Sequence, residues 1–214
     1  MVTDKNDAFQ FLQKLNRLKP SFYTRINVIQ IAKELLGKIL VTQFNNQITA
    51  VRIVETEAYN GVTDKASHAY AGKRTLRTEI MYSSGGVSYV YLCYGIHHLF
   101  NVVTNTYNIP HAILIRAGEP VFGEEYMQSR TLKTKMDYSI TRGPGNVSRA
   151  LGINLEHTGK CLFEKEFFIA SDDYKLLKKD IIATPRIGVD YAGEDALLPY
   201  RFLIAGNKYV SGRK

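Results

Sequence analysis

Between Val51 and Tyr59 the sequence places Glu55 and Glu57 two residues apart in an otherwise apolar run, and side chains at that spacing share one face of a strand. A carboxylate on a covered face needs hydrogen bonds or a cation, and one held incompletely is suited to general-base work. The alternative, favoured by this segment alone, is that both acids pair with Arg or Lys at a sheet surface, since structural ion pairs also perturb carboxylates. The loop of residues 60–68 then returns His68 toward the end of the same strand, beside Tyr59. A histidine by itself is usually structural. Here its weight comes from an acid, an aromatic ring and an imidazole converging on one place.

Three further segments carry chemistry. In Val87 to Cys93, residues Val87, Tyr89, Tyr91 and Cys93 line one face, so Tyr91 can look inward. Tyr94-Gly95-Ile96-His97 supplies a Gly-containing reversal before Phe100, giving a hairpin with Tyr94 and Ile96 near its tip. Those two side chains either fold back onto the core or wedge into a stack of bases. Lys73, Arg74 and Arg77 lie in a Gly/Thr-rich stretch suited to phosphate contacts or to a solvated loop. Arg142-Gly143-Pro144-Gly145 precedes a helix-like run, as in anion sites built from backbone amides, and is equally a tight turn. Arg130, Lys133, Lys135 and Arg149 would add charge there.

Elements must hold these groups. Phe9, Leu12, Leu15 and Leu18 predict a helix ending before Pro20. Val28, Ile31, Ala32, Leu35 and Leu36 predict a second, capped by Asn27 and ended by Gly37. Ile39–Phe44 and Ile48–Tyr59 read as a hairpin across Asn45-Asn46, with further strands at 87–93, 100–104, 112–117, 161–170 and 200–205 and helices at 122–131 and 146–151. Without a regular β-α-β alternation, repeat or linker, the pattern predicts an α+β fold: one mixed domain over 1–214, with a curved, mostly antiparallel sheet, flanking helices and a protruding hairpin.

The chain has 214 residues, 28 Lys+Arg against 20 Asp+Glu and a net charge of +8, which points to a polyanionic partner. At 45% hydrophobic it can bury a core, and its 14 Tyr and 10 Phe with no Trp make most of its aromatics amphipathic. Asp4 and Asp7 stand where an export signal would be basic and then apolar, and the run from Val87 to Phe100 is too short and too polar to span a bilayer. Cys93 and Cys161 lack ligand or disulfide spacing and read as reduced core residues of a cytoplasmic protein.

Val54-Glu55-Thr56-Glu57-Ala58-Tyr59, Asp64 to His68, Tyr89 to Gly95 and Asn101 resemble the alkyladenine (3-methyladenine) DNA glycosylase family of the non-helix-hairpin-helix type. The similarity continues through Leu114 to Pro120, Arg142 to Gly145, Pro185 to Val189 and Ala192 to Glu194, and covers roughly 28–211. It implies that Glu57 activates a water for attack at the sugar C1′, with Arg116 near that water. It implies that Tyr59 and His68 form one wall of a base pocket and Tyr91 the opposite wall, with Asn101 crowding the amino group of guanine. Tyr94 would fill the gap left in the duplex. Ile96 to Phe100 and the lack of a long basic N-terminal extension set the chain apart from animal members and make it similar to a compact bacterial type. The resemblance implies a monofunctional, monomeric enzyme without metal or organic cofactor, acting on double-stranded DNA with damaged purines and on no membrane. Two rivals remain. One is a non-catalytic nucleic-acid-binding module, which would have no use for a buried anion beside a polyanion. The other is a metal hydrolase using His68, His97 and His98 with Glu55 or Glu57, which neighbouring histidines at a hairpin tip make awkward.

Overall fold

A computed structural model describes residues 5–212. The expectation drawn from Met1 to Asp4 lies outside these residues. Five α-helices are α1 (Lys5–Gln13), α2 (Pro20–Tyr23), α3 (Val28–Leu35), α4 (Glu124–Thr131) and α5 (Pro144–Ala150). The nine strands are β1 (Asn16–Arg17), β2 (Ile39–Phe44), β3 (Gln47–Tyr59), β4 (Ser88–Cys93), β5 (His97–Thr104), β6 (His111–Phe122), β7 (Phe167–Ser171), β8 (Ile181–Thr184) and β9 (Arg201–Ile204). They form one sheet of order β1-β7-β2-β3-β6-β5-β4, with β9 paired to β3 and β8 to β9, and every pairing is antiparallel. The expected α+β class is what the chain adopts.

The long β3 organises the sheet. Along one edge it pairs with β6, while along the other it pairs with β2 over Gln47 to Arg52 and then with β9 over Glu55 to Glu57. Register shifts against β6 fall on either side of Glu55, where the strand changes partner. α3 forms as its apolar spacing predicts. The Asn27 side chain accepts the Gln30 N–H, a cap worth about 1 kcal/mol, and Val28, Ile31, Ala32 and Leu35 are buried beneath it. These residues join Val51, Ile53, Val54, Ile113, Ile115 and Phe202 in the main core, which fixes the strand that carries Glu55 and Glu57.

Several elements depart from expectation. The first helix stops at Gln13, and the chain continues as β1 and α2. Residues spaced strictly by three drift about 60° around a 3.6-residue helix at each step, so Leu18 could not share a face with Phe9. Only Phe167–Ser171 of the strand expected over 161–170 forms, because the polar Glu164-Lys165-Glu166 breaks the apolar run. Cys161 makes a single bridge with Val87, and both it and Cys93 are free and half-buried, not core residues. Among the described residues no helix is long and apolar enough to cross a membrane.

Candidate active site

A single register line builds the site. Tyr89 in β4 faces Asn101 in β5, which faces Leu114 in β6, which faces Glu57 in β3. Directly opposed residues of antiparallel strands project to the same side, so four strands deliver these side chains to one row. All four line a cavity of about 470 Å³, a volume typical of small-ligand sites. Tyr59, His68, Tyr91 and Arg116 complete its interior, and Tyr94, Gly143 and Gly145 also contribute to its lining.

Glu57 is fully buried, and its two oxygens are held differently. Oε1 accepts the Ile187 backbone N–H at 2.8 Å and lies 3.1 Å from Arg116 Nη1. Oε2 accepts the Tyr59 hydroxyl at 2.9 Å. Burial and then the neighbouring Glu57 charge push the Tyr59 phenol well above its ordinary range, so it stays protonated and donates. Burial opposes the charge on Arg116, but Glu57 and Glu55 outweigh it and hold the guanidinium protonated. Glu57 lines the cavity and has one donor on Oε2, so the carboxylate keeps lone-pair capacity for a water or hydroxyl.

Glu55 is more densely engaged. It does not line the cavity, and its Oε1 accepts from Arg116 Nε at 3.0 Å, Arg201 Nε at 2.6 Å and the Ser211 hydroxyl at 3.0 Å. Its Oε2 accepts the Ser211 N–H at 2.6 Å. The two acids of the strand therefore share a face, as their spacing predicts. Ion pairing does occur, but in the interior and not at a sheet surface.

The aromatic groups gather less simply than two facing walls. His68 Nδ1 is hydrogen-bonded to the Tyr89 hydroxyl at 2.8 Å, and its ring meets Tyr91 edge-on, with centroids 4.7 Å apart and planes at 76°. A base stacked between two parallel rings needs about 7 Å between them, so His68 and Tyr91 form a corner and not opposite walls. Burial, reinforced by the charges of Arg77 and Lys73, pushes the His68 imidazole down to about 4 and keeps it neutral near pH 7. Tyr59 carries the Arg186 guanidinium 4.8 Å from its ring centre, and Arg186 is itself paired with buried Asp64. Asn101 donates through Nδ2 to the carbonyls of Tyr89 and Leu99, which fixes its amide and leaves Oδ1 as the acceptor it can offer the cavity.

At the end of the β4–β5 hairpin, Tyr94 and Gly95 both have positive φ, 51° and 73°, and the Ile96 N–H closes the turn on the Cys93 carbonyl. Tyr94 is 91% exposed and Ile96 72% exposed, so this tip does not fold back onto the core. The basic residues separate into two groups. Lys73 and Arg77 are exposed beside the pocket, whereas Arg74 is held by Glu79 through two nitrogens and stacks over Tyr82. Arg142 is exposed and donates to the Lys208 carbonyl. Gly143 caps α5 at φ 95°, and a Cβ on Gly145 would meet the His97 ring at 2.7 Å, which explains glycine there. Arg130 and Arg149, expected to strengthen an anion site, instead join α4 to α5 and the β2–β3 hairpin through Thr49, Gln47 and the carbonyls of Ala150 and Arg130. Among the described residues no three His, Cys, Asp or Glu side chains converge in a way that could hold a metal.

Sequence reasoning missed Ile187, whose backbone N–H orients Glu57, and the supporting Arg186, Arg201 and Ser211. Arg186 and Ile187 stand in a Pro-Arg-Ile-Gly-Val run that carries the resemblance, but spacing along the chain cannot reveal a partner 130 residues away.

Residues 21–208 match the family described as methylpurine-DNA glycosylase. A Chlamydia felis protein is 48% identical over 87% of this chain and 95% of its own length. A Desulfitobacterium hafniense protein is 42% identical over 92% and 99%, and one from Chlamydia abortus is 46% identical over 87% and 97%. All three carry the name "Putative 3-methyladenine DNA glycosylase".

Proposed function

The chain belongs to the methylpurine-DNA glycosylase family, and from that premise we propose that it removes alkylated or deaminated purines from double-stranded DNA. A water activated by Glu57 hydrolyses the N-glycosidic bond and leaves an abasic site. The observation that carries this reading is the buried Glu57 carboxylate, oriented by Ile187 and Tyr59 at the wall of the cavity. A pure binding module gains nothing from an anion at the bottom of a basic protein's cavity.

A stacked base cannot expose C1′ to water, so the nucleotide is turned out at a cost of a few kcal/mol, less where damage has weakened pairing. Tyr94 and Ile96, presented at the hairpin tip, occupy the gap, and Lys73, Arg77 and Arg142 with the Gly143–Gly145 turn contact phosphates. Inside, a purine made cationic at N3 or N7 is attracted to the Tyr59 and Tyr91 rings, and its glycosidic bond is already weak. Asn101 stands where a guanine amino group would crowd it. Glu57 takes the water's proton and its charge stabilises the oxocarbenium-like sugar, as carboxylates do in glycoside hydrolysis. Among the described residues no lysine lines the cavity, which supports a monofunctional enzyme that forms no Schiff base. The enzyme acts as a cytoplasmic monomer and requires no cofactor for these steps.

The test is single-turnover excision from duplexes carrying 3-methyladenine, hypoxanthine or etheno-adenine. Glu57→Gln should slow release of the lesion at least about 100-fold while lesion binding persists. Turnover near the native rate would overturn the assignment.

A further inference from the structure

Arg116 is the pivot between the two carboxylates, and each nitrogen of its fork has a separate partner. Nη1 points at Glu57 Oε1 (3.1 Å), Nε donates to Glu55 Oε1 (3.0 Å) and Nη2 donates to the Ser211 hydroxyl (3.3 Å). That hydroxyl in turn donates to Glu55 Oε1, so the serine accepts from the arginine and passes a donor to the acid. Arg201 holds Glu55 from the other side, anchored by Thr184 Oγ1 and the Ser211 carbonyl. All four residues are at least nine-tenths buried, which removes water as a substitute partner.

This arrangement has a chemical purpose beyond neutralising charge. A guanidinium facing one carboxylate tends to form two parallel bonds and engage both oxygens. An Arg116 free to do so would compete with Tyr59 for Glu57 Oε2 and cover the lone pairs that a water needs. By engaging Nε and Nη2, Glu55 and Ser211 leave Arg116 one nitrogen for Glu57. The positive charge next to the reacting sugar is likewise shared with Glu55 and does not act on Glu57 alone.

From this geometry we infer that Glu55, Arg201 and Ser211 are positioning residues, which limit Arg116 to a single contact with Glu57 and so keep the base open. The inference rests on Glu57 acting as base, and it concerns groups that touch neither DNA nor the attacking water.

Ser211→Ala removes only the relay hydroxyl and keeps the backbone donor to Glu55, so it tests the idea with little risk to folding. Glu55→Gln tests it more severely, because an amide must aim NH2 at one of the donors that the carboxylate now accepts. Single-turnover excision should fall roughly 10-fold in Ser211→Ala and about 100-fold in Glu55→Gln, with the Kd for a lesion-containing duplex unchanged, and Ser211→Thr should recover the rate. An unchanged rate in both variants, or rate and affinity falling together without rescue by threonine, would overturn the inference. Arginine Nε NMR supplies a readout independent of turnover. Exchange of the Arg116 Nε–H, which is bonded to Glu55, should quicken in Glu55→Gln, and equal protection in both proteins would also overturn it. Failure of native protein to release any tested base would count against the glycosylase reading and leave the NMR comparison to judge the positioning unit.

Discussion

Glu55 and Glu57 sit two residues apart on one strand, both fully buried, yet they belong to different kinds of region. Around Glu55, Oε1 accepts from β6, β9 and the Ser211 hydroxyl, Oε2 accepts the Ser211 N–H, and the acid stands outside the lining of the cavity. Around Glu57 the donors are fewer, only one arginine reaches it, and it lines a pocket shared with aromatic rings. A carboxylate held by two arginines away from any lining contributes fixed geometry, and one that lines a cavity is placed to meet a ligand. Burial and residue type alone would not have separated them.

That contrast can be broken most directly by exchanging which acid is neutralised. Glu57→Gln should remove excision and cost less stability in urea unfolding than Glu55→Gln, because Arg116 keeps Glu55 as its carboxylate partner. Glu55→Gln should instead cost about 3–5 kcal/mol in the same unfolding experiment, since it leaves buried Arg201 without its carboxylate and Arg116 with Glu57 alone. Equal stability losses in the two variants would erase the distinction. Asp64→Asn gives a third point. Asp64 is the ion-pair partner of Arg186 behind Tyr59, and its loss should lower stability by about 3 kcal/mol while affecting excision far less than Glu57→Gln.

Smaller effects sharpen the same division at the cavity mouth. Tyr94 holds φ 51°, a conformation that costs a bulky residue about 1–2 kcal/mol, so Tyr94→Gly should raise stability by roughly 1 kcal/mol and weaken binding to a lesion duplex. Unchanged affinity in a gel-shift titration would remove the wedge role. His68 yields the smallest effect. Its imidazole is held near 4 against an ordinary value of 6.5, so the unfolded chain takes up its proton first. The stability due to neutral His68 is complete above pH 6.5 and is lost as pH falls from there toward 4. His68→Asn should therefore flatten part of the acid decline in that window. The remainder belongs to His111 and His157, which burial also depresses.

Much of this was legible in residue spacing. Alternation along 51–59 placed Glu55, Glu57 and Tyr59 on one side, Asn27 announced α3, and Tyr94-Gly95-Ile96 announced a hairpin tip. Local rules suffice there because each signal and its consequence lie within one turn or one strand. They failed where a partner arrives from far along the chain. The difference between Glu55 and Glu57 depends on Arg201 and Ser211, about 150 residues later, and β8 carries too little alternation to mark itself as a strand. Arg74 and Arg130 were misread for a similar reason: a basic residue near a Gly-rich loop looks free until its acid or carbonyl is located.

The exchange of partners along β3 also sets an order of assembly. Pairing with β2 can begin as soon as the hairpin is made, but the stretch that carries Glu55 and Glu57 waits for β9 and for Ser211. Synthesis runs from the N-terminus, so a growing chain that stops before residue 201 has its two acids without the arginine and serine that secure them. Competence to cut glycosidic bonds should therefore appear late and all at once, which keeps unfinished chains from attacking the genome they are made to guard.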